Sequence, residues 1–227
     1  NTYAWGTLVH EFSPQLRAGA IASYTYVSTE RTGDVDEDGI REGTVDDERH
    51  YDVLGLQLSA SYATERWLTR FGAEARSLEA SYDYSSIVRF EPDYPFPGSP
   101  GRVTVNELEP EPSGAHYAAY VTSRFRVTDP LTAEVGLRWD DETYGPEGGN
   151  QLAPRVNLMY QAGPKTRLRA SWGRYGQAQG INELQVEDGI DTFFPAQRAD
   201  HLILSAEHAL ENRVRMRLEA YYKDYEE

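Results

Sequence analysis

The stretch Leu131-Thr-Ala-Glu-Val-Gly-Leu-Arg-Trp-Asp140 alternates strictly between apolar and polar residues. Successive side chains of a β-strand point to opposite faces, so this stretch predicts a strand with two unlike faces. The apolar face would carry Leu131, Ala133, Val135, Leu137 and Trp139. The polar face would carry Thr132, Glu134, Gly136, Arg138 and Asp140.

The same period of two recurs along most of the chain, and we find no convincing long helical pattern. The longest apolar runs last only five residues, which excludes a transmembrane helix built from about 18 or more apolar residues. The pattern predicts an all-β protein of about ten antiparallel strands. Their expected ranges are 3–12, 16–29, 50–63, 67–89, 113–127, 131–141, 151–162, 166–177, 200–210 and 213–225.

The connections between these strands alternate in length. Short turns contrast with three long connections at residues 30–49, 90–112 and 178–199, all at the same end of the predicted meander. Unstructured connections of this length are uncommon in compact soluble domains. Short turns at one end and long loops at the other are typical of an up-and-down transmembrane β-barrel. A soluble β-sandwich shares the alternation and stays open on the pattern alone.

The two predicted faces differ in charge. The apolar faces of the best strands carry no charged residue, as a lipid-facing surface requires, because a charge near mid-bilayer costs about 2–4 kcal/mol. The polar faces are rich in arginine and carboxylate, which predicts a hydrated lumen wall with ion pairs between neighbouring strands. Its members are Arg124, Arg126, Arg138, Arg155, Arg167, Arg169, Arg213, Arg215 and Arg217, with Glu134, Asp140, Glu207 and Glu219.

Composition excludes several classes of function. The 227 residues include 22 Lys+Arg against 37 Asp+Glu, a net charge of −15, which argues against a nucleic-acid-binding surface. With no cysteine, the chain has no disulfide framework, thiolate zinc site or cysteine nucleophile. No Ser-His-Asp order, P-loop or His-Glu-x-x-His motif occurs, so we predict that the protein is not an enzyme.

An acidic run in the first long connection resembles the start of a calcium loop. Alternate carboxylates before a turn-forming glycine supply the hard oxygens that Ca²⁺ needs. An EF-hand requires glutamate at the twelfth position, where this chain has Val45, so only a looser calcium loop is expected. A solvated acidic loop is the alternative. The tentative calcium ligands are Asp34, Asp36, Asp38, Glu42 and Asp46.

Aromatic residues are prominent in the other two long connections. Tyr94 and Phe96 lie in one, and Phe193 and Phe194 lie in the other. Exposed rings offer stacking surface to a siderophore or a sugar, so these four residues are predicted ligand contacts. The alternative is that they pack one loop against another.

Several motifs resemble those of TonB-dependent outer-membrane receptors in order and spacing. They are Gly136-Leu-Arg-Trp-Asp140, Ala153-Pro-Arg-Val156, Trp172-Gly-Arg-Tyr175 with Gln177, Ile181-Asn-Glu-Leu184, Phe194-Pro-Ala-Gln197 and Glu219-Ala-Tyr-Tyr-Lys223. The resemblance implies a 22-stranded barrel with an N-terminal plug domain and a TonB box. Residues 1–227 would then form a partial barrel, with the plug domain and the C-terminal strands absent.

The resemblance also implies a function in the bacterial outer membrane. We expect a receptor or transporter that takes up a scarce nutrient, either siderophore-bound iron, cobalamin or an oligosaccharide. This chain would supply barrel wall and extracellular loops. Its expected partners are outer-membrane lipid, its own plug domain and through it TonB, and a small ligand, but no nucleic acid. The alternatives are a passive porin or surface adhesin barrel and a soluble calcium-binding β module.

Overall fold

The computed structural model describes residues 1–146, 149–210 and 214–226 as one antiparallel sheet of eleven strands. The strands are β1 (Thr2–Glu11), β2 (Leu16–Glu37), β3 (Arg41–Ala63), β4 (Trp67–Phe90), β5 (Arg102–Leu108), β6 (Ser113–Arg126), β7 (Leu131–Glu142), β8 (Gln151–Gln161), β9 (Thr166–Gln177), β10 (Gln197–Ala209) and β11 (Arg215–Glu226). A short 3₁₀ helix, Val186–Asp188, lies between β9 and β10. No helix in these residues is long and apolar enough to cross a membrane.

The strands follow one another in an up-and-down meander. Each strand pairs with its neighbours in chain order, except that β4 pairs with both β5 and β6. Strands β1 and β11 form the two edges, so the sheet is open in the manner of a partial barrel wall. This arrangement confirms the predicted fold class, an antiparallel segment of a β-barrel.

The register carries the predicted alternation from strand to strand. Leu137 on β7 lies opposite Val121 on β6, and Glu134 lies opposite Arg124. Because directly opposed residues share a face, the apolar residues form one continuous surface and the charged residues form the other. We call the apolar surface the outer face and the charged surface the inner face. Leucines on the outer face are exposed, as lipid-facing residues of a barrel must be.

The structure corrects the predicted loop at residues 30–49. These residues form the upper part of the β2–β3 hairpin, whose ladder continues to the pair Glu37 and Arg41. Both faces of this part are polar, as in the directly opposed pair Asp36 and Glu42, so the sequence there lacks the alternation that marks a half-buried strand. In this part of the sheet, β3 forms backbone hydrogen bonds with both β2 and β4. This pairing outweighs the low strand propensity of Asp and Gly.

The predicted loop at residues 90–112 also contains a strand, β5, which pairs with the end of β4. The backbone then continues beside β4, with the Tyr82 amide donating to the Pro110 carbonyl. The expected ten strands are therefore eleven in the described part of the chain. The predicted turn at residues 211–212 and the predicted inner-face Arg213 lie outside that part.

Strands β2, β3 and β4 are 22, 23 and 24 residues long, about twice the 9–11 residues that a strand needs to cross a bilayer. Along β3, the outer face changes from exposed leucines at Leu54, Leu56 and Leu58 to polar residues from Asp52 upward. The upper halves of these strands therefore extend beyond the apolar band, on the side where the long connections lie.

Candidate ligand-binding site

The connection between β9 and β10 folds back over the inner face of the sheet. We call residues 178–196 the inward loop. Ile181, Leu184 and Val186 of this loop are 2%, 1% and 0% exposed. They pack against the inner-face side chains of β4, which are Leu78, Ala80, Tyr82 and Tyr84. Strands β6, β7 and β8 separate β4 from β9 in the sheet, so the loop crosses the inner face to reach β4.

Polar groups of the sheet satisfy the buried backbone of the inward loop. The Tyr82 hydroxyl donates to the Ile181 carbonyl at 2.8 Å and accepts from the Leu184 amide at 3.2 Å. From β5, the Asn106 side-chain amide donates to the Val186 carbonyl at 3.1 Å. Buried backbone groups without such partners are costly, so these contacts select one position for the loop.

An ion-pair cluster formed by side chains of β2 and β3 also holds the inward loop in place. Arg49 donates to both carboxylate oxygens of Asp47, at 2.6 and 2.9 Å, and to Glu187 of the 3₁₀ helix at 3.0 Å. Arg31 donates to Asp47 at 2.9 Å, so this buried carboxylate is shared by two guanidinium groups. Arg49 also lies 5.5 Å from the centre of the Tyr82 ring. The cluster ties the hairpin β2–β3, strand β4 and the loop together.

A second tyrosine holds the loop at its other side. The Tyr144 hydroxyl, from the connection after β7, donates to the Gln179 carbonyl at 3.2 Å. Its ring meets Phe193 edge to face, with centroids 5.1 Å apart. Burial raises the pKa of Tyr144 to about 12, and the nearby carboxylates of Glu142 and Glu183 act in the same direction. This phenol is therefore held in its neutral, hydrogen-bond-donating form.

Below the inward loop, the inner face carries the predicted ion pairs. Arg124 and Glu134, on neighbouring strands, approach to 2.7 Å, and Asn157 on the next strand donates to the same carboxylate at 3.2 Å. A further ion pair, Arg138 with Asp140 at 2.6 Å, lies within β7 rather than between strands. This part of the inner face is therefore polar, and several of its charges are paired with one another.

The four aromatic residues predicted to contact a ligand differ in how far the structure leaves their rings exposed. Phe193 is committed to loop packing against Tyr144, which was the alternative interpretation. Phe194 is exposed beside it. Tyr94 stacks on Phe90 with centroids 5.8 Å apart, and Phe96 is 72% exposed. Tyr94, Phe96 and Phe194 thus keep accessible ring surface, and their contact with a ligand stays a prediction.

The five predicted calcium ligands lie along the β2–β3 hairpin rather than in a loop. Asp34 and Asp36 are on β2, Asp38 is in the turn, and Glu42 and Asp46 are on β3. Glu42 lies directly opposite Asp36, but Asp46 lies opposite Thr32, further down the ladder. In the described residues, no three His, Asp or Glu side chains are close enough to hold a metal ion. The calcium site stays a prediction for which the structure shows no assembled ligand set.

The sequence matches the model of a known family, the TonB dependent receptor-like β-barrel, over residues 1–226. The chain belongs to this family of TonB-dependent receptors. Barrels of this family are outer-membrane proteins that act as receptors and transporters rather than enzymes. A comparison with curated protein sequences found no match.

Solved TonB-dependent receptors share the fold. The siderophore receptor PiuA from Acinetobacter baumannii superposes with a TM-score of 0.68 at 11% identity, covering 96% of this chain and 39% of PiuA. The copper transporter OprC superposes with a TM-score of 0.66 at 14% identity, covering 97% of this chain and 38% of OprC. The ferric citrate transporter FecA superposes with a TM-score of 0.60 at 14% identity, covering 98% of this chain and 34% of FecA. The chain thus spans about two-fifths of these receptors or less, and the likeness concerns the fold.

Among the residues that anchor the inward loop of this TonB-dependent receptor, Phe193 was a site candidate from the sequence, but the others were not. Ile181, Leu184 and Val186 are separated from one another by only one or two polar residues, and this spacing was the available signal in the sequence. The alternation along β4 and β3 predicts the face on which Tyr82 and Arg49 lie. It does not predict which other segment of the chain packs against that face.

Proposed function

We propose that this chain forms wall and extracellular loops of a TonB-dependent receptor that imports a scarce nutrient across the bacterial outer membrane. The observation that carries the proposal is the family match over residues 1–226. The unlike faces of the sheet support it. An exposed apolar outer face suits outer-membrane lipid, and the ion-paired inner face suits a hydrated lumen.

In this proposal the extracellular part captures the ligand. The upper halves of β2, β3 and β4, together with β5 and the inward loop, would form a structured rim above the lumen. A plug domain would close the lumen below, and TonB would deliver energy from the inner membrane through that plug. Siderophore-bound iron, cobalamin and an oligosaccharide are the ligand classes that the proposal admits.

The test uses a strain deleted for the complete gene and complemented with the full-length protein. We would measure uptake of labelled ferric siderophores, cobalamin and oligosaccharides, with and without TonB and with a protonophore. The proposal predicts saturable uptake of one of these classes that is lost without TonB or the proton gradient. Uptake that is linear in concentration and indifferent to TonB would contradict it.

A conductance measurement separates the proposal from a passive porin. The purified full-length receptor, reconstituted in planar bilayers, should conduct little because a plug blocks its lumen. Large and stable open-channel currents from the same preparation would favour the porin over the TonB-dependent receptor.

A further inference from the structure

A cleft of about 280 Å³ lies where β9 and β10 meet the inward loop. Gln177 and Gln197 form a directly opposed pair at the upper ends of the two strands, on the inner face. Phe194 and Pro195 supply the apolar part of the lining.

The lining is rich in neutral amides. Gln179 is used within the loop, where its side-chain oxygen accepts from the Phe194 amide at 2.9 Å and so positions that residue. The other three glutamines, Gln177, Gln185 and Gln197, are exposed. A side-chain amide offers two N–H donors and a carbonyl acceptor, which is the combination that a hydroxyl group satisfies.

Charge disfavours an anionic ligand at this cleft. The lining contains the carboxylate of Glu183 but neither lysine nor arginine. Residues 30–49 hold nine acidic residues against three arginines, and the whole chain carries −15. A ligand with several carboxylate or phosphate groups would meet repulsion without a compensating cation.

The volume of the cleft limits how much of a ligand it can hold. Pockets that enclose drug-sized ligands have volumes of about 300–1,000 Å³. At about 280 Å³, this cleft is below that range, so the part of a ligand that it holds is about the size of one or two sugar rings.

We propose that this cleft binds a neutral sugar unit of an oligosaccharide. The glutamine amides would hydrogen-bond the hydroxyl groups, and the apolar face of the sugar ring would lie against Phe194. The inference rests on the proposed function, because it names the substrate class of that receptor. It needs no rearrangement of the inward loop.

The test is calorimetric titration of the purified full-length receptor with neutral hexasaccharides of glucose, xylose, mannose, galactose and N-acetylglucosamine. We expect saturable binding of at least one of them. Phe194→Ala should weaken that binding about tenfold, since it removes the ring contact and its buried area. Phe12→Ala, which truncates an exposed ring in the short turn between β1 and β2, is the matched control and should change affinity less than about twofold.

A second variant tests the same cleft independently, in case Phe194→Ala weakens binding only by disturbing the fold. Gln185→Glu keeps the shape of an exposed side chain and adds a charge, so it should weaken sugar binding several-fold while gel migration stays native. Absence of saturable binding by every hexasaccharide would overturn the inference, as would binding that neither variant affects. If TonB-dependent uptake of a siderophore or cobalamin persists in that case, the proposed function stands and only the sugar assignment falls.

Discussion

The hydroxyl of Tyr82 on β4 donates a 2.8 Å hydrogen bond to the carbonyl oxygen of Ile181, which lies 99 residues later in the chain. The same hydroxyl accepts from the amide of Leu184. One phenol oxygen thus satisfies two buried backbone groups of the inward loop. This contact joins a strand of the sheet to the loop that packs on its inner face.

Replacing Tyr82 with phenylalanine should loosen the inward loop while the ring still fills its place. Each hydrogen bond contributes about 0.5–1.5 kcal/mol, so we expect the free energy of local opening to fall by about 1–3 kcal/mol. Hydrogen exchange of residues 181–186 in the full-length receptor measures this. Tyr117→Phe, at an exposed outer-face position, is the control. Unchanged exchange in Tyr82→Phe would show that apolar packing alone holds the loop.

The two ion pairs of Arg49 should differ in strength. The Asp47 side chain is 6% exposed and binds Arg49 through two hydrogen bonds, whereas the Glu187 side chain is 46% exposed. Double-mutant cycles with Arg49→Gln should give a coupling of about 1.5–3 kcal/mol to Asp47→Asn. The coupling to Glu187→Gln should stay below about 1 kcal/mol, because solvent screens that pair. The opening free energy of the inward loop is the readout, and the reverse order would contradict the assignment of the buried pair as the anchor.

Alkaline pH should release the Tyr144 contact. The phenol has a pKa of about 12 in the folded protein against about 10 in an unfolded chain. Its contribution to stability is therefore complete below pH 10 and is lost as the pH rises from 10 to 12. The absorbance difference between wild type and Tyr144→Phe isolates this phenol, and its midpoint should lie near pH 12. After heat denaturation the midpoint should return to about 10, and a native midpoint near 10 would mean that Tyr144 is not buried.

The sequence alone is enough to predict the two faces. Strict alternation over residues 131–140 places Leu137 and Glu134 on opposite sides of one strand, because the side-chain period of a strand is two. The pattern therefore places Arg124 and Glu134 on one face, and the register of β6 and β7 in the structure brings them together.

The sequence was insufficient where a segment has no apolar face. The upper hairpin, as at Asp34 and Asp36, extends beyond the apolar band, so its strands leave no alternation to detect. The packing of Val186 depends on how the sheet brings β4 and the inward loop together, which no local pattern encodes. Phe193 and Phe194 are adjacent and identical, yet one packs and one is exposed, and only the fold decides which.

The most direct test of the barrel account places one charge on each face of β9. Ala170 and Ser171 are small and adjacent near the middle of the strand. Ala170 lies opposite Leu158 and Leu204 on the apolar outer face, and Ser171 lies opposite Asn157 on the inner face. We would compare Ala170→Arg with Ser171→Arg in the full-length receptor, measuring membrane-inserted yield and heat-modifiable gel migration. The account predicts that Ala170→Arg depletes the folded, inserted receptor, because a lipid-facing arginine costs about 2–4 kcal/mol near the midplane, whereas Ser171→Arg stays close to wild type. Equal yields, or greater damage from Ser171→Arg, would contradict it.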